Sequence, residues 1–220
     1  MTLYIAPIVE GQTEQGCLER LLQRTWTELL GQSERLQVLE PFRGHRDELI
    51  NSETALIKTI QQSLYKLNAK AIRDPGARKL LLVLLDAEGD CPAALAPRLL
   101  DSACKIVPPD VAVSCVMPKR MLENWIVAGA STLSGINNLP NPLPDRDQFE
   151  ERNGAGWLKE QIRSMNPSRT YKKVIDASEF IKEMNLNECR ANSPSFDKLC
   201  RELEKRVPAA PIPDESNAPA

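Results

Sequence analysis

Six aliphatic residues in a row, Leu80-Leu81-Leu82-Val83-Leu84-Leu85, end abruptly in Asp86-Ala87-Glu88-Gly89-Asp90. A strand that is apolar at every position, rather than at alternate ones, is buried on both faces, as in the centre of a parallel sheet sandwiched between helices. A second such run, Leu3-Tyr4-Ile5-Ala6-Pro7-Ile8-Val9, ends in Glu10-Gly11-Gln12-Thr13-Glu14. In an open parallel sheet the C-terminal strand ends share one crevice, so two acidic segments distant in sequence are expected to meet there.

The rest of the chain supplies the helices that such a sheet requires. Leu18, Leu21, Leu22, Trp26, Leu29 and Leu30 recur with helical spacing, and Gly31 stops them. Leu36, Val38, Glu40 and Phe42 alternate as a second strand, and Ile57, Ile60, Leu64 and Leu67 mark a second helix. Asp90 before Pro92 has the pattern of an N-cap opening a helix through Leu95, Leu99, Leu100 and Ala103. Val111 to Val116 is a fourth strand, and Met121 to Ala128 a short helix closed by Gly129. This βαβα alternation predicts an α/β fold with right-handed crossovers, a parallel sheet flanked by helices. Residues 1–130 form its core. Residues 131–206 are expected to complete the same domain: a Pro/Asn/Gly-rich loop over 131–156, with the potential of a lid or recognition segment, then helices over Trp157–Met165, Ala177–Met184 and Phe196–Arg206. The proline-rich stretch 207–220 reads as a disordered tail.

Composition narrows the chemistry. Lys and Arg total 28 against 30 Asp and Glu, a net charge of −2, so any nucleic-acid contact has to come from local patches. With no signal-peptide pattern and no apolar stretch of membrane-spanning length, the expected location is the cytoplasm. The six cysteines form no C-x-x-C pair and are expected to be buried free thiols. His45 is the single histidine, and nothing beside it supports a nucleophile–histidine triad. Gly11 and Gly89 lie in no phosphate-loop pattern, which argues against Walker-type ATP binding.

The acidic residues carry the functional signal. Glu10 at a strand end and Glu14 one turn on can face one crevice, although Glu14 is also what a helix N-terminus favours for its dipole. Asp86 and Glu88 reach the same place if the strand has ended and Gly89 turns the chain; Asp90 is better explained as a cap. Glu123 follows the fourth strand, where a charged helix face is the plainer explanation. Carboxylates crowded in a poorly solvated cleft repel, and a divalent cation is the usual means of holding them there ionised. That points to a magnesium or manganese site. Two basic runs, Arg43-Gly44-His45-Arg46 and Arg169-Thr170-Tyr171-Lys172-Lys173, are either solvated faces or substrate contacts at a phosphate.

Val9-Glu10-Gly11-Gln12-Thr13-Glu14, with Asp86-x-Glu88 after an apolar strand, resembles the TOPRIM fold shared by topoisomerases, primases and OLD-family nucleases. Leu122-Glu123-Asn124-Trp125, Tyr171-Lys172-Lys173 and Ser193-Pro194-Ser195-Phe196 resemble an uncharacterised bacterial TOPRIM-like family, often encoded beside an ABC-class ATPase in phage-defence loci. The resemblance implies a nuclease acting on DNA or RNA, with one or two magnesium ions on Glu10, Glu14, Asp86, Glu88 and Glu123. Lys172 or Lys173 would match the lysine that OLD-type nucleases place near the scissile phosphate. It also implies an ATPase partner, with self-association left open. Glu88 departs from the familiar Asp-x-Asp pair, and in 220 residues no gate or tyrosine domain accompanies the core, which weighs against a topoisomerase. The alternative from another class is a non-catalytic interaction or sensor subunit of an ATPase complex.

Overall fold

The computed structural model describes residues 1–207, so the expected tail lies, Val207 apart, outside the described residues. Five strands form one parallel sheet: β1 (Thr2–Val9), β2 (Arg35–Val38), β3 (Phe42–Arg43), β4 (Arg78–Leu84) and β5 (Val111–Val116). Their order is β2-β1-β4-β5, with β3 pairing the far end of β1 as β2 pairs its near end. The single strand expected over Leu36–Phe42 is thus two pieces. Leu39 still donates its N–H to the Ile5 carbonyl, but Pro41, just before β3, has no N–H to give to the ladder.

Side-chain alternation sorts each central strand between two cores. Leu3, Ile5 and Val9 of β1 and Leu80, Leu82 and Leu84 of β4 face one layer; Tyr4, Ala6 and Ile8 with Leu81, Val83 and Leu85 face the other. The second layer is built by α2 (Arg46–Asn51), α3 (Glu53–Ala71) and α4 (Pro92–Cys104). The first is built by α1 (Gln12–Arg24), which runs on through a wider turn at Thr25–Leu29 to Gly31 in a left-handed conformation (φ 64°), and by α5 (Glu123–Ala128). Four later helices join that same layer: α6 (Gly154–Met165), α7 (Lys173–Glu183), α8 (Leu186–Asn192) and α9 (Pro194–Glu204). Leu158, Phe180, Phe196 and Leu203 are therefore in one core with β1.

Two short helices, α2 and α8, were not anticipated. Of the six cysteines, all free, Cys91 and Cys104 are exposed, against the expectation of burial; they flank and end α4 on its solvent side. The loop expected over 131–156 begins with short helical turns, Ala130–Leu133 and Ile136–Asn138, and is tied down near its end. Asn124 Nδ2 donates to the Phe149 and Arg152 carbonyls, and Glu150 Oε1 accepts from the hydroxyls of Ser193 and Ser195 and from the Ser195 N–H. No helix among the described residues is long and apolar enough to cross a membrane.

Candidate functional site

After β1 the chain enters α1 on one face of the sheet, while after β4 it enters α4 on the other, so the strand ends diverge and a crevice opens between them. Its lining includes Glu10, Glu14, Asp86, Arg43 and Lys173 around a cavity of about 350 Å³. Glu14 is 6% exposed and Glu123 1%, and Glu10 is half-buried. Of the five sequence-expected carboxylates, Glu10, Glu14 and Asp86 line this cavity, while Glu88 and Glu123 do not. Asp86 continues the register of Leu82 and Leu84 onto the α1 face, where Glu14 and Glu123 are its strongest electrostatic neighbours. For Glu10 the strongest electrostatic neighbours are Glu88 and Glu14, then Arg46 and Asp47.

Burial pushes the Asp86 carboxyl well above its usual range, and Glu14, Glu123 and Glu10 add to the rise. Glu10 and Glu14 are raised by burial first; at Glu10 the neighbouring acids add to it, while at Glu14 the backbone N–H groups of Glu14 and Gly11 pull down against burial and Glu123. One oxygen of each, Oε2 of Glu10 and Oε2 of Glu14, is buried without a hydrogen-bond partner. Gly11 makes room for this: a Cβ there would lie 2.5 Å from Glu14 Oε2.

Asp86 is oriented by the N–H of Leu122, which donates to its Oδ1 at 3.0 Å and so ties β4 to the start of α5. The following loop is held from two sides. Ala87 and Glu88 donate their N–H groups to the Pro118 and Arg120 carbonyls, and Arg46 donates to the Asp86 and Ala87 carbonyls at 2.7 and 3.0 Å. The turn falls at Glu88 itself, with φ 52°, rather than at Gly89. A left-handed conformation costs a non-glycine residue about 1 kcal/mol, which the flanking hydrogen bonds sustain. Glu88 is exposed at the mouth.

The basic residues separate into those that line the crevice and those committed to structural contacts. Arg46 is buried and spends its guanidinium on the loop carbonyls, Asp47 and Asp90; it organises the crevice from behind instead of facing a substrate. Asp90 is accordingly an ion-pair partner and not the cap, since Cys91 occupies the N-cap of α4. Arg169 is committed to the buried Asp176 at 2.6 Å. His45 is exposed at the start of α2 and does not line the crevice, whereas Arg43 does. Of the two lysines, Lys173 lines the crevice with its Nζ 3.5 Å from Glu123 Oε1. Lys172 points to a separate depression beside Arg169.

Two residues that sequence reasoning missed set this arrangement. Asp176 accepts from Arg169 and from the Lys172 N–H at 2.7 Å, which fixes the turn that delivers Lys173. Its signal was its place on the apolar face with Ala177, Phe180 and Ile181. Gly154 is the other: a Cβ there would sit 2.7 Å from the Glu123 backbone, so only glycine lets α6 pack this closely against the start of α5. Tyr171 closes the group, its hydroxyl donating to Glu123 Oε1 at 3.4 Å. Trp125 Nε1 donates to Ser195 Oγ at 2.7 Å and the Trp125 ring packs edge-on against Phe196. The sequence segments around Glu123, Tyr171 and Ser193 are thus one contiguous structural unit.

The family profile of a domain of unknown function, DUF4276, matches residues 9–204. The chain belongs to that family. The DUF4276 match opens one residue before Glu10 and closes at the last residue of α9, so it contains the whole crevice and every helix that shapes it. No curated protein and no solved structure matches the chain.

Proposed function

We propose that this DUF4276 chain is a divalent-metal-dependent phosphodiesterase acting on DNA or RNA, a TOPRIM-like nuclease that works with an ABC-class ATPase partner in anti-phage defence. The observation that carries the reading is the crevice itself: Glu10, Glu14 and Asp86, all with raised pKa values, around a single lining lysine.

The donor set fits a hard cation. Two buried carboxylate oxygens lack any partner, and oxygen-only ligation is what magnesium and manganese take. Among the described residues no three acidic, histidine or cysteine side chains are drawn together tightly enough to form a closed ligand set. Magnesium does not require one, because it keeps several waters and binds through one or two carboxylates. Asp86, Glu14 and Glu10 are the residues to hold it, with Glu123 beside them. When bound, such an ion supplies a ligated water of lowered pKa and neutralises charge on a phosphate. The chain's own contribution is positional. Leu122 N–H and the Arg46-braced loop fix Asp86, and Lys173 stands where a phosphate oxygen gaining charge would need a cation. Arg43, which also lines the crevice, offers a second contact.

The exposed Glu88 and the loose spacing of the acids favour a second reading, a binding subunit without turnover. Calorimetric titration of the purified chain with magnesium and manganese, paired with cleavage assays on plasmid, single-stranded DNA and tRNA, separates the two. Metal binding with metal-dependent cleavage upholds the nuclease. Absence of both, in the chain alone and with its ATPase partner, overturns it.

A further inference from the structure

A groove on the opposite side of the molecule from α5 extends this reading. It runs between the outer face of α3 and β3, encloses about 730 Å³, and is lined by Lys58, Lys66, Lys70, Tyr65 and Phe42 with no acidic side chain. In a chain of net charge −2 this is a local concentration of positive charge. Lys58 and Lys70 have no carboxylate partner among the described residues; Lys66 pairs with Glu40 at 3.0 Å and also stands 5.5 Å from the centre of the Phe42 ring. Tyr65 is 80% exposed, an aromatic face left in water that the core does not use.

We propose that this groove is a track for single-stranded nucleic acid leading to the carboxylate crevice. It rests on the nuclease reading for its destination, and on its own residues for its ligand. Lysines along a helix combined with exposed aromatic faces are what an unpaired strand needs: cations follow the phosphates while bases stack on the rings. A duplex keeps its bases stacked on one another and could use the lysines alone. From Lys58 to Lys70 the helix rises about 18 Å, enough for a few nucleotides of strand. The two sites share a strand. Phe42 and Arg43 are consecutive in β3, pointing to opposite faces, so one lines the groove and the other the crevice. Because α3 runs antiparallel to the strands, its Lys58 end is the one nearer the crevice.

The test is fluorescence anisotropy with labelled 20-mer poly-dT, poly-rU and a duplex of the same length, in chelator so that no cleavage enters. Wild-type protein binds the single strands in preference to the duplex. Tyr65→Ala weakens single-strand binding about tenfold. Lys58→Ala with Lys70→Ala lowers the salt slope of log affinity by about 1.4, the value for two phosphates on a single strand. All three residues are exposed, and unchanged melting curves check that the variants fold. Equal binding of duplex and single strand, or unchanged affinity in both variants, overturns the proposal. So does a poly-glutamate peptide that competes fully while Tyr65→Ala stays neutral, which would assign the groove to an acidic protein segment. Failure of the nuclease reading shows separately, as retained single-strand binding with no metal uptake and no cleavage.

Discussion

Glu14 and Glu202 are each 6% exposed and belong to the same layer of helices, yet their chemistry runs in opposite directions. Burial alone would raise both. At Glu202 it is overcome by hydrogen bonds from Lys198 at 2.6 Å, Lys205 at 2.8 Å and Ser114 at 2.8 Å, which bring the carboxyl down to about 2. At Glu14 burial is answered only in part: the backbone N–H groups of Glu14 and Gly11 and the Lys173 charge pull the carboxyl down, but Glu123 adds repulsion, Oε2 has no partner, and the pKa stays raised. Glu202 holds α9 to β5. Glu14 is held at a cost that its own helix offsets only in part, a pattern that marks candidate functional groups.

The largest expected effect comes from removing a charge on the Glu14 side. Asp86→Asn, and likewise Glu10→Gln, reduces metal-dependent cleavage by at least about a hundredfold while leaving the fold intact, since these side chains sit at strand ends and not in the core. Turnover by either variant at the wild-type rate, measured under saturating metal, would break the contrast. Lys173→Met is expected to lower kcat about a hundredfold with little change in KM, the mark of a contact made in the transition state. Lys172→Met serves as its control, because that side chain points elsewhere. Steady-state kinetics of the pair decide it, and equal loss in both would assign the segment to phosphate tracking.

Stability sharpens the comparison in the other direction. Glu202→Gln is expected to destabilise by about 2 kcal/mol, the worth of charge-assisted hydrogen bonds to one buried group, whereas Glu14→Gln in chelator is expected to raise Tm by roughly 3 °C. Differential scanning calorimetry of the two variants reads both, and the same sign in both would dissolve the distinction. The pH dependence follows. The depressed Glu202 contributes stability that is present above its ordinary value of 4.5 and lost as pH falls toward about 2. Asp86, Glu14 and Glu10 are raised, so their contribution is full below the ordinary carboxylate range and lost as pH climbs through their folded values. Metal-free protein should therefore lose stability on that climb. Added magnesium should restore it most at the alkaline end, where protons no longer compete. Thermal melts from pH 4 to 8 with and without magnesium test this.

The smallest expected effect on the fold, but not on activity, is at Gly11. Gly11→Ala is compatible with the backbone, whose φ is −113°, but its Cβ meets Glu14 Oε2 at 2.5 Å and displaces that carboxylate. Melting within about 1 °C of wild type, together with weakened metal binding by calorimetry, is the expected result. Unchanged metal affinity would show that Glu14 is a helix-terminal charge and nothing more.

How much of this was legible follows from what each signal depends on. Uninterrupted apolar runs marked β1 and β4, because burial on both faces is written locally in each segment. The convergence of Glu10, Glu14 and Asp86 followed from topology alone. What stayed hidden depends on partners far along the chain. Arg46 reads as a substrate contact until Asp90 and the Asp86 carbonyl are seen to claim it. Arg169 likewise reads as free until Asp176 folds back onto it. The same long reach split the β2–β3 edge, where one proline mattered more than the alternating pattern around it. The TOPRIM likeness rests on short acidic motifs, and its weight lies in the assays above.

The bond between Trp125 and Ser195 has a consequence for the order of events during synthesis. Glu123 lies two residues from Trp125 and meets Tyr171 and Lys173, while the Trp125 indole bonds to Ser195 and packs against Phe196 of α9. As a chain emerges from the ribosome, both acidic strand ends are present long before α9. The neighbourhood of Glu123 waits until Pro194–Glu204 has emerged and docked. A chain that has not yet added α9 thus displays the acids without their finished setting, and the crevice is completed only when that helix docks.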